Sequence, residues 1–405
     1  MKPIVRAGRM KPVHSDIRGP LFVEAMKRQK QGIDILKLNT GNPATFGFGL
    51  PDSIKNALME HMQDGVGYCD FKGMPQARQA ICDYETSKGI KGITSDDVFI
   101  GNGVSEVVSF ALTPLLNDGD EVLVPSPSYS LWGNSVYLED GKPVFYTCDE
   151  QANWYPDIKD IRSKITDKTK AIVIINPNNP TGVLYPKELL LEIIQIAREF
   201  GLLILADEIY DRLVMDGKQH ISLASLTEDV PVITLNGLSK SHCLCGYRCG
   251  WMVISGPREL TEDYRQGIIQ LTSLRLCANT MAQIVIPAAL DDMETPASMV
   301  RPGGRIYEQR EATVRELEKI DGLSFVKNDA AFYVFPKLDV KKFNITNDKQ
   351  FAHDLLDVTN ILLVPGSGFD WKDPDHFRIV MLPQADILSD AIRRMGTFLD
   401  GYKQK

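Results

Sequence analysis

The sequence predicts an α/β fold with a mostly parallel central sheet flanked by helices, joined to a smaller α+β unit. Three observations predict it. Apolar runs of strand length alternate with amphipathic stretches of helix length, turn-forming motifs follow directly on several runs, and the pattern changes character after Pro302-Gly303-Gly304. A chain of 405 residues, 43% hydrophobic and 24% charged, can bury a large core and is too long for one compact domain.

From the N-terminus, residues 20–43 carry a helix and a short strand at 36–38, and they can pack with the C-terminal unit despite their distance in sequence. Strand-length runs recur at 98–101, 121–124, 171–175, 202–206, 232–235 and 251–254, with helices expected at 104–116 and 187–200. Such near-continuous apolar runs suit strands covered on both faces, as in a parallel sheet. Beyond residue 302 a charged helix over 305–319, short strands near 331–335 and 361–365, and a terminal helix from Asp386 describe the smaller unit. The expected organisation is an N-terminal arm with part of the small domain over 1–45, a large domain over 46–299 and a small domain over 300–405.

Composition narrows the function. A net charge of −8 and an isoelectric point near 5.4 give no basic footprint for nucleic acid or an anionic membrane surface. The first residues lack the apolar core of a secretion signal and no apolar run is long enough to span a bilayer, so a cytoplasmic protein is expected. Seven scattered cysteines, an odd number, argue for reduced thiols rather than a disulfide framework, and the sequon Asn344-Ile345-Thr346 is then a decoy. Small-molecule chemistry in solution fits best.

Polar motifs concentrate just after the strands, where ligands gather in open α/β sheets. Lys240 stands in Asn236-Gly237-Leu238-Ser239-Lys240, and Arg248 follows in Gly246-Tyr247-Arg248. A lysine among small residues can hold a phosphorylated aldehyde covalently while the arginine grips its phosphate, which points to pyridoxal 5′-phosphate. The same residues would also suit a solvated loop. Asp207, in Ala206-Asp207-Glu208-Ile209-Tyr210, ends a strand. A buried carboxylate is costly without a cation; a protonated pyridine nitrogen would supply one, with Tyr210 in reach of the ring's phenolic oxygen. Asn176-Pro177-Asn178-Asn179-Pro180-Thr181-Gly182 forms a tight turn after another strand. Gly103-Val104-Ser105 opens a helix whose N–H groups could meet a phosphate. The stretch from Gly101 to Glu106 lacks the last glycine of G-x-G-x-x-G, so a dinucleotide site is not expected. His242, Cys243, Cys245 and Cys249 lack the usual zinc spacing, and no metal is expected.

Taken in order, Asn-Pro-Asn-Asn-Pro-Thr-Gly, Ala-Asp-Glu-Ile-Tyr, Leu-Ser-Lys and Gly-Tyr-Arg resemble the class I aminotransferases of the aspartate aminotransferase fold, the fold-type I pyridoxal-phosphate enzymes. The resemblance covers nearly the whole chain. Through Asp16-Ile17-Arg18-Gly19-Pro20, Gly41-Asn42-Pro43 and Arg275-Leu276-Cys277 it is most similar to bacterial glutamate–pyruvate (alanine) aminotransferases.

The resemblance implies that Lys240 binds the cofactor's aldehyde and then moves the proton between substrate and cofactor, a task that calls for a lowered lysine pKa. Asp207 would keep the pyridine nitrogen protonated, Asn179 and Tyr210 would bond the phenolic oxygen, and Tyr129 would stack on the ring face. Gly103, Val104, Ser105 and Arg248 would surround the phosphate. Ser239 would stand in for the serine that Gly237 replaces, and Tyr68 would reach the phosphate from the other subunit of a homodimer. Arg378 would fork onto the substrate α-carboxylate, with Gly41 and Asn179 beside it, while Arg18 would help to choose the substrate. Arg275 would serve either a distal carboxylate or a structural ion pair.

Ser15, Cys243 and Ala330 stand where relatives often carry tyrosine, arginine and glycine, which leaves substrate preference open. The expected reaction is reversible amino transfer, glutamate and pyruvate giving 2-oxoglutarate and alanine. The alternatives are a carbon–sulfur β-lyase on the same residues and a cofactor-binding regulator without catalysis.

Overall fold

In the computed structural model, which describes residues 2–405, an eight-stranded sheet forms the centre of the molecule. Its strands are β1 Val98–Gly101, β2 Glu121–Ser126, β3 Lys142–Asp149, β4 Tyr155–Pro156, β5 Thr169–Ile175, β6 Leu203–Asp207, β7 Val232–Gly237 and β8 Gly250–Ser255. They lie in the order β1-β8-β7-β6-β5-β2-β3-β4. β2, β3, β5, β6 and β7 run parallel, whereas β8 is antiparallel to both of its neighbours and β4 to β3. The expectation of a mostly parallel sheet holds, and β8 is its main exception. The chain returns directly from β7, with Gly237 opposite Gly250, and no crossover helix turns it round.

Side chains along β5 and β6 alternate between two cores. Ile172, Ile174, Ile204 and Ala206 pack with Leu190, Ile193 and Ala197 of the helix Lys187–Phe200 on one face. Ala171, Val173, Ile175 and Leu205 pack with Val108, Leu112 and Trp132 on the other. Covered on both faces, these strands need no polar side, which is why they read as continuous apolar runs. The helix Lys187–Phe200 forms where apolar residues recur at helical spacing. It starts after Pro186 and stops at Gly201, whose φ of +67° is a left-handed cap that glycine adopts without strain.

Some elements differ from the sequence reading. β3 escapes it because Lys142 and Pro143 open the strand and Thr147 and Asp149 interrupt its apolar pattern. The helix after β1 ends at Leu112 rather than at 116, since Pro114 cannot continue the hydrogen-bond ladder. The strand expected over 361–365 is two, Ile361–Leu362 and Val364–Pro365, and they serve different sheets. Ile361–Leu362 pairs in parallel with Leu36–Lys37, while Val364–Pro365 and Tyr333–Val334 flank Phe377–Val380. Leu38 shares one apolar cluster with Phe351, Ile361, Phe377, Ile379 and Ile392, so the N-terminal segment packs with the C-terminal one. Among the described residues no single helix is long and apolar enough to cross a membrane.

Leu205 is fully buried in β6. Leu205→Ala is expected to cost about 2–5 kcal/mol, seen as a lower urea midpoint at unchanged slope. A loss below about 0.5 kcal/mol would contradict this packing.

Candidate active site

The last residues of β5 and β6, Ile175 and Asp207, open into a cavity of about 820 Å3. The connection from β7 to β8 contributes Ser239, Lys240, Cys245 and Arg248 to its wall. Ser15, Arg18 and Gly41 line it from the N-terminal segment, Val104 and Ser105 from the start of a helix, and Tyr129, Asn179, Tyr210, Tyr333 and Arg378 from elsewhere in the chain.

Asp207 is buried. Its Oδ2 accepts a hydrogen bond from Trp132 Nε1 at 3.1 Å, and its Oδ1 accepts the Ile209 N–H at 3.3 Å. Burial pushes its pKa up to about 6 in spite of these two donors. A carboxylate so placed favours either a proton or a cation brought into the cavity.

Lys240 lies in the single helical turn Leu238–Ser241 that begins directly after β7. Its Nζ donates to the Gly41 carbonyl at 3.0 Å and stands 5.8 Å from the centre of the Phe332 ring. Burial alone would lower the pKa of this amine, but Tyr333, Cys245 and Tyr129 around it hold it above the ordinary lysine value. This corrects the expectation of a lowered value: in the polypeptide alone the group is an ammonium held by a carbonyl oxygen.

Arg378 comes from Phe377–Val380 and is 1% exposed. One guanidinium nitrogen donates to Asn179 Oδ1 at 3.0 Å and another to the Asn39 carbonyl, while Nε has no partner. Its Cζ lies 4.5 Å from the Tyr333 ring centre and 4.6 Å from that of Phe369. All of these neighbours are neutral. A buried cation thus lines the cavity with spare donor capacity, and a carboxylate is the ligand that such a fork fits. Tyr333 also links it to Tyr210, their hydroxyls lying 2.9 Å apart.

Arg248 takes a φ of +56°, and its Nη1 donates to the Cys245 carbonyl at 3.0 Å. Gly103, at φ +86°, precedes the helix Val104–Leu112, and a Cβ on it would stand 2.3 Å from Arg248 Nη2. Only a residue without a side chain admits the guanidinium here. Together with the first N–H groups of the helix, it forms a cradle for an anion.

Two of the residues singled out lie elsewhere. Tyr68 is 84% exposed and does not line this cavity. Arg275 pairs with Glu106 at 2.5 Å and donates to the carbonyls of Phe71 and Ile100, each at 3.2 Å, which is the structural ion-pair alternative. The cysteines near Lys240 also have separate neighbours. Cys243 Sγ lies 3.9 Å from Met299 Sδ, His242 contacts Ser241 Oγ and the Asp292 carbonyl, and burial pushes the Cys243 and Cys249 thiols up to about 12.

Trp132 and Tyr333 were missed from sequence. Trp132 is the second residue of the helix Leu131–Leu138, while Tyr129 lies in the loop before it, so no regular spacing links the two. Tyr333 is found only through strand pairing: it lies opposite Val380, two residues from Arg378.

The family model described as aminotransferase class I and II matches residues 33–392. The glutamate-pyruvate aminotransferase AlaA of Haemophilus influenzae is 50% identical over all of both chains. The alanine aminotransferase of Mycobacterium tuberculosis is 45% identical over all of this chain and 94% of its own. Among solved structures, an Escherichia coli aminotransferase has a TM-score of 0.98 at 47% identity over all of both chains. The alanine aminotransferase of Pyrococcus furiosus has a TM-score of 0.93 at 40% identity, over 98% of this chain and 100% of that one.

The raised pKa of Asp207 makes the stability of the polypeptide depend on pH. The folded chain holds this proton more tightly than the unfolded chain does, with a value of about 6 against an ordinary 3.8. The resulting stabilisation is complete below the ordinary value and is lost as pH rises through 6. Asp207→Asn removes that loss. The stability of the variant relative to wild type is expected to grow by about 2 kcal/mol between pH 4 and pH 7, measured by urea unfolding without added ligand. A difference independent of pH would contradict the assignment.

Proposed function

The chain belongs to the class I and II aminotransferases, and on that premise we propose that it uses pyridoxal 5′-phosphate to move an amino group between L-amino acids and 2-oxo acids. The proposed reaction is glutamate with pyruvate, reversibly giving 2-oxoglutarate and alanine, as the names of the full-length relatives at 50% and 45% identity suggest. One observation carries the reading: Arg378 is a buried guanidinium among neutral groups, with an unpartnered Nε, on the cavity that also holds Lys240 and Asp207.

The residues fit the cofactor. Asp207 offers a buried negative charge for a pyridine nitrogen, Asn179 and Tyr210 offer polar groups for a phenolic oxygen, and Tyr129 offers a ring face. Arg248, Ser239, Ser105 and the helix start at Gly103 and Val104 offer a phosphate cradle. Tyr68, exposed on the single chain, would complete the cradle from a second copy, which makes a homodimer part of the proposal.

When bound, the cofactor supplies an electron sink for the charge left at the substrate α-carbon. The chain does the rest. Arg378 grips the α-carboxylate, and Gly41 adds a backbone contact at that end. Lys240 Nζ would hold the cofactor's aldehyde and, when free, would be the base that moves a proton at the substrate α-carbon. Asp207 would face the pyridine nitrogen and, ionised by it, would keep that nitrogen protonated. Arg18 and Ser15, at the cavity wall, meet the substrate side chain.

The test follows the cofactor's absorbance as single amino acids are added. L-Glutamate and L-alanine are expected to convert it to the amine form, and pyruvate to reverse the change; an unaltered spectrum would overturn the proposal. Release of pyruvate and ammonia from cystathionine without an acceptor would point to carbon–sulfur lysis instead. Arg378→Lys, which loses the fork, is expected to lower kcat/KM for alanine about 100-fold, mostly through KM. Retained wild-type KM would exclude this arginine as the carboxylate partner.

A further inference from the structure

We propose that Lys88 is a positioning residue for the reaction, tying the segment that leaves β6 at Asp207 and carries Tyr210 to the end of β7 just ahead of Lys240. This rests on the function proposed above. Lys88 caps the helix Pro75–Ser87, and its side chain is only 13% exposed. Its Nζ lies 2.7 Å from Glu85 Oε2, 2.8 Å from Glu208 Oε2 and 3.2 Å from Asp211 Oδ2.

The chain alternates sides beyond β6. Asp207, Ile209 and Tyr210 line the cavity, whereas Glu208 and Asp211 turn to Lys88 behind it. Glu208 Oε1 also accepts from Ser222 Oγ at 2.9 Å and from the Leu223 N–H at 3.0 Å. Asp211 Oδ2 accepts from the Tyr84 hydroxyl at 2.6 Å and from Asn236 Nδ2 at 2.7 Å. Asn236 belongs to β7, four residues ahead of Lys240. Glu85 Oε1 in turn accepts from Trp251 Nε1 of β8 at 3.2 Å. One ammonium therefore joins three neighbouring strands at the points from which the cavity residues spring.

The other positive groups nearby do not replace it. Arg212 stacks on Tyr84 at 4.3 Å and donates to the carbonyls of Ala289 and Leu290, and burial keeps His220 neutral by lowering its pKa. Without Lys88, Glu208 and Asp211 become buried like charges without a close cation, a state that draws in water or moves the loop. Glu208 would then also act unopposed on its neighbour Asp207, whose charge it already disfavours.

The experiment compares wild type, Lys88→Met and Lys88→Arg. The readouts are the affinity of the cofactor-free protein for pyridoxal phosphate, by absorbance titration, and kcat and KM for alanine. Lys88→Met, close in shape and uncharged, is expected to keep the wild-type circular dichroism, to bind pyridoxal phosphate about 10-fold more weakly and to lose about 30-fold in kcat with little change in KM. Lys88→Arg is expected to recover both to within about 3-fold, because the charge and not the packing is what matters. Where Lys88→Met does not fold, Glu208→Gln, which keeps the shape and removes one link, decides by the same readouts. A folded Lys88→Met or Glu208→Gln protein with wild-type cofactor affinity and kcat overturns the role of Lys88. A wild-type protein that binds no pyridoxal phosphate overturns the proposed function itself.

Discussion

The hydrogen bond from the Trp132 indole to Asp207 is the contact on which the site's electrostatics depend. It leaves a carboxylate buried at the end of a central strand with neutral donors beside it, so the charge is tolerated but not satisfied. The sheet makes this possible. β6 is flanked by β5 and β7 and covered on both faces, which carries Asp207 into the interior instead of to a solvated edge. Had β6 been an edge strand, water would have satisfied the carboxylate and the site would hold no preference for a cationic ligand.

Arg378 reproduces this logic with the opposite sign. It too is buried among neutral partners, but its aromatic neighbours Tyr333 and Phe369 and the amide of Asn179 suit a flat cation that keeps donor capacity in reserve. Tyr333 couples the two halves, since it lies against the guanidinium while its hydroxyl meets that of Tyr210. A ligand with a cationic ring at one end and a carboxylate at the other would meet both needs at once. That pairing is the physical content of the proposed cofactor and substrate together. Neither charge would be stable in this form if the protein were selected for stability alone.

The sequence made much of this legible, for reasons that can be named. Continuous apolar runs identify β5, β6 and β7 because a strand covered on both faces has no polar side to interrupt it. Motifs placed just after those runs identify Lys240, Asp207 and Asn179, because an open sheet delivers strand ends to one place. What stayed hidden depends on partners distant in sequence. Tyr333 acquires its place only when Tyr333–Val334 pairs with Phe377–Val380, and Trp132 only when its indole reaches Asp207 at the end of β6. The antiparallel β8 was equally illegible, since an apolar run does not encode direction; the return from β7 is what sets it. Arg275 could be read two ways until Glu106 was seen beside it.

The protonation of Lys240 follows from the same arrangement. Burial opposes its charge, and Arg378 pushes in the same direction, yet the phenols of Tyr333 and Tyr129 and the thiol of Cys245 outweigh them. The protonation is therefore set locally, by burial and one cationic neighbour against several polar ones. Any further positive charge entering the cavity acts with Arg378 and burial and tips the lysine towards the neutral amine. A buried Asp207 beside that lysine attracts just such a charge. The polypeptide thus holds Lys240 as an ammonium on the Gly41 carbonyl, and a cationic ligand drawn to Asp207 would favour the neutral amine that a nucleophile and a base require.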